Sequence, residues 1–471
     1  MLKLKLLMLL TVGSTALAAN SFAGVIYDKG GMPRCISMEG RDLLLLWDAS
    51  DLYSREIYTL DTGTYTARDT MNPQTYNCHS LPAKLSEVPK SDLTVLAKGA
   101  KSVGPFSLAS ARMQKSLDQI RNGATAYREE TDAKSFLRKY PISNFTLETN
   151  RRLTAMYGVG FVSEIYAEII ASDPNNKAFS DLINGNLRSQ ASDLAAVKKN
   201  RTVIYVKGIG HELNNSKQYD VFVDNLRKGG VEVKIVKTHS WDTIDTNAAI
   251  VKRALEIELK KGKSLILIGL SKGGSESLLA LSMLSKTLDA KPAGYGKVEA
   301  YLGLSGVYGG SFLVDWAGSL PQRLIMSHLM KDEYEKEGKK LPTIDGILDV
   351  KSEPVADVMK QVAHNGLPQE TTYFSIVGAI TGDGLAAKTS YIRSLQQDII
   401  RAQLDGYGAN DGYIEYPGTA VPKKLVKKSY IGSLNASHSL VDGTYQGQPV
   451  VGGPENVVNA ISMAVFQILA K

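Results

Sequence analysis

Residues 264–274, Ser264-Leu265-Ile266-Leu267-Ile268-Gly269-Leu270-Ser271-Lys272-Gly273-Gly274, decide how this chain folds. An unbroken apolar run of this length, bounded by glycine, reads as a strand buried on both faces. The segment that follows, Ser275 to Leu288, has helical spacing. Between them Gly269-Leu270-Ser271-Lys272-Gly273 forms a G-x-S-x-G turn. A serine hydroxyl is a weak nucleophile until it is held clear of the sheet with a base beside it. Holding it there demands a tight turn between strand and helix, and the glycines two residues to either side, Gly269 and Gly273, leave room for one. An ordinary strand-to-helix turn is the plainer reading of five such residues, and the flanking strand and helix tell against it.

The pattern repeats on both sides. Thr202 to Val206 is a β-branched run ending at Gly208-Ile209-Gly210-His211, and a helix is expected from Lys217 to Arg227, stopped by Gly229-Gly230. Val231 to Val236 reads as a strand, and a helix starting at Thr246-Asn247 runs to Gly262. Beyond the G-x-S-x-G turn come strands at Val298–Leu304, Thr372–Val377 and Tyr430–Leu434, then a helix from Pro454 to Lys471. Strands alternating with helices over short connections predict a mostly parallel sheet with crossover helices, an α/β fold over residues 201–471. Residues 311–370, with helical patches at Asp315–Leu329 and Val355–Val362, are expected to form a helical cap over the site, or else a surface excursion. Residues 24–200 read as a largely helical region of unassigned role, with helical patterns at Leu108–Arg121, Ala133–Leu137 and Leu153–Ile170; Leu43–Trp47 is an apolar, buried run. The stretch from Asp173 to Lys199 is polar and helix-prone and leads into the sheet.

A nucleophilic serine needs a base and an orienting carboxylate. Strand, G-x-S-x-G and helix resemble the nucleophile elbow of the α/β-hydrolases, which supply the set in the order serine, acid, histidine. His79, His211 and His239 precede Ser271, and His328 and His364 fall in the expected cap. His438 follows the last strand, in Asn435-Ala436-Ser437-His438-Ser439-Leu440, and stands where the base belongs. Two acids compete: Asp383 in Thr381-Gly382-Asp383-Gly384 and Asp411 in Gly408-Ala409-Asn410-Asp411-Gly412. Strand order slightly favours Asp383, and either also reads as the former of an Asp-Gly turn.

Four stretches resemble the bacterial lipase/esterase branch of the α/β-hydrolase superfamily. Val206-Lys207-Gly208-Ile209-Gly210 is similar to its H-G oxyanion loop, with Lys207 for histidine. Gly269 to Gly274 is similar to its G-H-S-x-G-G elbow, with Leu270 for histidine. Gly306-Val307-Tyr308-Gly309-Gly310-Ser311 with Asp315 resembles its G-x-P-x-x-G-S segment, and Gly408 to Gly412 its N-D-G motif. The resemblance covers residues 200–471 in short motifs and favours Asp411 as acid. It implies a triad of Ser271, Asp411 and His438, with the backbone N–H groups of Lys272 and Ile209 as oxyanion hole. It further implies a serine carboxylester hydrolase acting on acyl esters or lipids through an acyl-enzyme. A catalytically idle binding or assembly module, and an acyltransferase, thioesterase or polyester depolymerase with the same triad, remain open. His211 and Glu212 are read as helix caps beside the mouth, and Lys272 as pointing to solvent. Many such lipases hold a structural calcium through an aspartate two residues past the histidine; Leu440 stands there, so no cofactor is expected and calcium is in question.

Composition sets the remaining bounds. Met1-Leu2-Lys3-Leu4-Lys5, the apolar Leu6–Leu10 and Ala16-Leu17-Ala18 describe a signal peptide, with Ser21-Phe22-Ala23 as a second cleavage point, so residues 1–23 are expected to be removed and the protein to be periplasmic or extracellular. No stretch reaches the roughly 20 apolar residues of a membrane span. The roughly 450 residues left exceed one typical domain. The net charge of +7 is spread in pairs such as Lys198-Lys199 and Lys427-Lys428 without interleaved aromatics. Solvated faces explain such pairs better than a nucleic-acid site, so no nucleic-acid partner is expected, and transient contact with a lipid surface stays open. The two cysteines, Cys35 and Cys78, are expected to pair in an oxidising compartment. Non-reducing peptide mapping of exported protein should recover one peptide pair joining them, and two free thiols would refute the bridge.

Overall fold

The computed structural model describes residues 137–157, 159–189, 201–209, 217–317, 345–379, 407–438, 440, 444–445, 448–451 and 453–470, together with strand segments between 26 and 60. Those segments are β1 (Ile26–Tyr27), β2 (Pro33–Met38), β3 (Arg41–Leu46) and β4 (Glu56–Leu60), an antiparallel meander that the sequence reading did not anticipate in a largely helical region. The apolar run at Leu43 lies on β3. Helix does dominate nearer the sheet: α1 (Leu147–Tyr157), α2 (Val159–Ala171) and α3 (Pro174–Ser189).

Six strands build the main sheet: β5 (Arg201–Val206), β6 (Glu232–Ile235), β7 (Ser264–Leu270), β8 (Lys297–Leu304), β9 (Thr372–Gly378) and β10 (Ser429–Leu434). Their order is β10-β9-β8-β7-β5-β6, and every pairing is parallel. The chain builds outward from β5 to β6, returns across β5, and then builds the other way from β7. This reversal makes the gap between the ends of β5 and β7 a topological switch point, where the crossover connections part and leave a crevice at the carboxyl edge. With α-helices on both faces, this is a doubly wound parallel α/β sheet.

Side chains alternate between two cores. On one face Val203, Tyr205, Ile266, Ile268, Leu302 and Phe374 meet α3, α4 (Lys217–Lys228) and a C-terminal helix, Gly453–Leu469. On the other, Ile204, Val206, Leu265 and Leu267 meet α5 (Ile244–Leu259), α6 (Lys272–Ala290) and the helix Ser352–Asn365. α5 begins two residues earlier than expected because Thr243 caps it, its side chain accepting from the Thr246 N–H.

Two expected boundaries move. Ser352–Asn365 belongs to no cap: Val355, Val358 and Val362 are buried in the second core, and the helix is the crossover between the adjacent parallel strands β8 and β9. Of the expected cap, residues 318–344 lie outside the described residues. At the other end, the boundary at residue 200 cuts through a packed unit. α3 places Phe179, Ile183 and Leu187 in the first core. Its Asn176 Oδ1 accepts the Ile431 N–H at 2.8 Å, occupying a donor of the edge strand β10. Gly432 on β10 makes room for it, since a Cβ there would stand 2.8 Å from Ile183 Cδ1. The helix reads as polar because its outer face is solvated. Phe179→Ala should cost about 3–5 kcal/mol of unfolding free energy in a urea titration of the whole chain; an unchanged transition would return α3 to a separate unit.

Candidate active site

Ser271 directly follows β7 with φ 53° and ψ −123°, a backbone conformation that residues other than glycine rarely adopt. Its neighbours explain how the turn closes. A Cβ on Gly269 would lie 2.5 Å from the Gly273 carbonyl oxygen, and one on Gly273 would lie 2.5 Å from that of Lys207 and 2.6 Å from that of Val206. Backbone packs on backbone here, so the start of α6 presses against the end of β5. The Ser271 N–H donates to the Leu304 carbonyl at 2.9 Å, and its carbonyl accepts from Gly274 at 2.9 Å and Val307 at 3.3 Å. The second loop at this edge arrives equally close: a Cβ on Gly208 would stand 2.9 Å from Ser271 Cβ. Ile209, next in the chain, packs partly buried against the second core.

His438 follows β10 and stands 8 % exposed. Its Nε2 lies 2.9 Å from Ser271 Oγ and its Nδ1 lies 2.7 Å from Asp411 Oδ2. The backbone joins the same two residues, the His438 N–H donating to the Asp411 carbonyl at 2.9 Å. Asp411 is fully buried, and its other oxygen accepts the N–H groups of Tyr413 (3.0 Å) and Ile414 (2.8 Å). A carboxylate so supplied with donors is held in one orientation. The Tyr413 ring packs 5.2 Å from the imidazole.

The chain thus brings together Ser271, His438 and Asp411, with Lys272 next to Ser271 in the chain and Gly208, the residue before Ile209, packed against it. As the first residue of α6, Lys272 offers an N–H with no acceptor inside the helix. Asp383, His211, Glu212, His79, His328 and Cys78 lie outside the described residues, and Cys35 is placed only by its backbone on β2. Leu440, where the resemblance would look for a calcium ligand, is buried in the first core and offers no side-chain oxygen. Among the described residues no group of three His, Cys, Asp or Glu could hold a metal ion, and no helix is long and apolar enough to cross a membrane.

Residues around the triad brace it, and of these Tyr301 and Gly418 carry no sequence motif. Tyr301 and Tyr308 bring their hydroxyls 2.5 Å apart beneath the elbow, and Tyr301 donates to the Gly274 carbonyl at 2.8 Å. Ser311 Oγ donates to the Tyr413 carbonyl at 2.7 Å, and the N–H groups of Tyr308 and Gly309 donate to that of Gly418. The segment that resembles the lipase G-x-P-x-x-G-S stretch therefore braces the acid loop.

No family model matches the chain, and no curated protein matches it. Solved structures are similar at low identity. Bacillus licheniformis lipase BlEst2 in its mature form is 19 % identical over 50 % of this chain and 84 % of that one, with a TM-score of 0.31. Phospholipase PlaB from Legionella pneumophila is 17 % identical over 46 % of this chain and 45 % of its own, at 0.32. A lipase-esterase related protein from Clostridium acetobutylicum is 15 % identical over 55 % and 93 %, at 0.29.

One side chain reverses its expected direction. Lys272 is not solvated but 1 % exposed, because the elbow turns it inward, under the sheet edge. Its Nζ donates to the carbonyls of Ser240 (3.0 Å) and Asp242 and lies 3.6 Å from Glu276 Oε1. Glu276 also accepts from Asn247 Nδ2 at 2.7 Å, while its Oε2 has no partner among the described residues. Burial lowers the Lys272 ammonium against the pull of Glu276. Burial pushes the Glu276 carboxyl up to about 7, with Lys272 opposing. Between the ordinary 4.5 and that value the folded chain holds a proton the unfolded chain releases. The carboxyl therefore lends stability that is complete below 4.5 and is lost as the pH rises through about 7. In urea titrations across that range, Glu276→Gln should lose less unfolding free energy with rising pH than the unaltered chain; parallel curves would deny the raised value.

Proposed function

We propose that this chain is an exported serine carboxylester hydrolase of lipase or esterase type, forming an acyl-enzyme on Ser271. The observation that carries the reading is the chain of two hydrogen bonds, Ser271 Oγ to His438 Nε2 at 2.9 Å and His438 Nδ1 to Asp411 Oδ2 at 2.7 Å, set on a strained turn at the switch point. Ordinary turns have no reason to keep a buried carboxylate, an imidazole and a hydroxyl in register.

The chemistry follows from the geometry. Ser271 Oγ attacks the acyl carbonyl while His438 Nε2 takes its proton. Asp411 holds Nδ1–H, fixing the tautomer that leaves Nε2 free to accept, and stabilises the imidazolium that forms. The oxygen of the tetrahedral intermediate meets the N–H groups of Lys272 and Ile209, each such donor contributing ~100–1,000-fold in rate. The proton passes from Nε2 to the departing alkoxide, leaving an ester on Ser271. Water, deprotonated by the same nitrogen, then releases the acid. The inward turn of the Lys272 side chain keeps its charge off this track, so its backbone alone serves the oxyanion. The apolar acyl part and the preference for esters come from the lipase-like motifs, and export from the leader-like residues 1–23.

Hydrolysis of a C2 to C16 p-nitrophenyl ester series tests the reading, with Ser271→Ala as control. Turnover should be serine-dependent, and Ser271→Ala should lose at least ~1,000-fold in kcat with an unchanged melting temperature. Activity surviving in Ser271→Ala would remove the mechanism. A silent series together with no fluorophosphonate labelling of Ser271 would favour the idle binding module.

A further inference from the structure

The acid of the triad is not held by the sheet. β9 ends at Gly378, and Asp411 arrives far downstream on the loop 407–418. That loop closes on itself: Tyr416 N–H donates to the Ala409 carbonyl at 2.9 Å, and Asp411 N–H to that of Ile414 at 3.1 Å. Little more than one turn of α1, Asn150 to Thr154, from outside the expected catalytic domain, grips its base.

Asn150 is fully buried, and its Nδ2 donates to the carbonyls of Ala409 and Tyr416, each at 2.8 Å, the two residues where the loop closes. Thr154, also fully buried, accepts the Ala409 N–H on its hydroxyl at 2.8 Å. The same hydroxyl donates to Asn150 Oδ1 at 3.5 Å, which turns the amide's NH2 toward the loop. Arg151 closes a two-point pair with Glu415, Nε to Oε1 at 2.9 Å and Nη2 to Oε2 at 2.6 Å. Glu415, 3 % exposed, spends its remaining capacity on the Gly408 N–H at 2.6 Å. Tyr166 of α2 stacks on Tyr416 at 4.6 Å. A Cβ on Gly408 would strike Asn150 Nδ2 at 2.4 Å, so the loop has glycine where the helix comes nearest.

We infer that Asn150 and Thr154, with the Arg151–Glu415 pair, are positioning residues for the triad: α1 sets the depth and angle of Asp411, and so the reach of His438 toward Ser271. The inference rests on the ester-hydrolase reading for its rate effects alone. A carboxylate misplaced by about 1 Å costs on the order of 100-fold in rate while leaving substrate contacts in place. The grip comes from residues in the chain's own N-terminal region, so the sheet domain taken from residue 201 onward has an acid loop without its support.

The test uses the full chain. Asn150→Asp keeps the shape and removes both donations; Thr154→Val keeps the shape and removes one acceptor, and Thr154→Ser restores it. With p-nitrophenyl butyrate, Asn150→Asp and Thr154→Val should lower kcat ~10–100-fold with KM within about twofold, and Thr154→Ser should recover most of it. The low-field proton resonance of His438 Nδ1–H, assigned by its loss in His438→Gln, should move or broaden in both variants and return in Thr154→Ser. Unchanged kcat and an unmoved resonance in folded Thr154→Val would overturn the inference even if Asn150→Asp fails to fold. A chain without serine-dependent turnover would sink the hydrolase reading instead, and the resonance would still decide whether α1 places Asp411 against His438.

Discussion

The site depends on one stretch of backbone, Ser271 at φ 53°. A non-glycine residue held in such a region costs on the order of 1–3 kcal/mol and persists only where the surroundings over-determine it. Here they do. The Ser271 N–H and carbonyl are tied to Leu304, Gly274 and Val307. The elbow glycines let β5, β7 and α6 meet backbone to backbone, at distances no side chain would permit. The cost is met by the two cores on either face of the sheet, which clamp the strand and the helix that the turn joins. The hydroxyl is thereby lifted out of the sheet edge toward the crevice that the strand order opens.

That dependence explains why the elbow and the sheet were legible in the sequence while their supports were not. β7 is buried on both faces and sits between β5 and β8, so its residues have to be apolar throughout, and α6 has to start at once. Such demands leave a local signature. His438 was found by its place after the last strand, which is also a local fact. Strand order slightly favours Asp383, because Asp411 lies on a long excursion past β9; the N-D-G resemblance points to Asp411, the residue that meets His438. Lys272 shows the opposite failure. A lysine in a tight turn reads as solvated, and only the sheet edge and the carbonyls of Ser240 and Asp242 reveal that the turn faces it inward.

The helices misjudged from sequence share a cause. Ser352–Asn365 and α3 both show mixed polar and apolar residues, as any helix covering one face of a sheet must. Sequence spacing reports that a helix has a buried face but not what buries it. Spacing alone puts the first in a cap, or else in a surface excursion, because it follows a lipase-like segment; it puts the second outside the catalytic domain because it precedes β5. Connectivity in three dimensions reassigns both, one as the β8-to-β9 crossover and the other as the cover of β10.

The acid loop brings these points to one consequence. In a parallel sheet, the residues just past each strand inherit their positions from the hydrogen-bond ladder, as Ser271, Gly208 and His438 do. Asp411 inherits nothing of the kind, and a loop free to shift would lose the charge placement on which the imidazole depends. The structure replaces the ladder with side chains: Asn150 standing in for a strand neighbour to two carbonyls, Thr154 for an acceptor, Glu415 for a backbone partner of Gly408. Ser311 and the Gly309 N–H grip the other side of the loop. None of these groups touches the reacting atoms, yet removing any leaves a buried polar atom unpaired beside the acid, at a cost of roughly 1–3 kcal/mol. On the proposed reading, residues 147–157 belong to the site as much as the strand that carries the serine, because the packing that holds the acid loop begins before the first strand of the sheet.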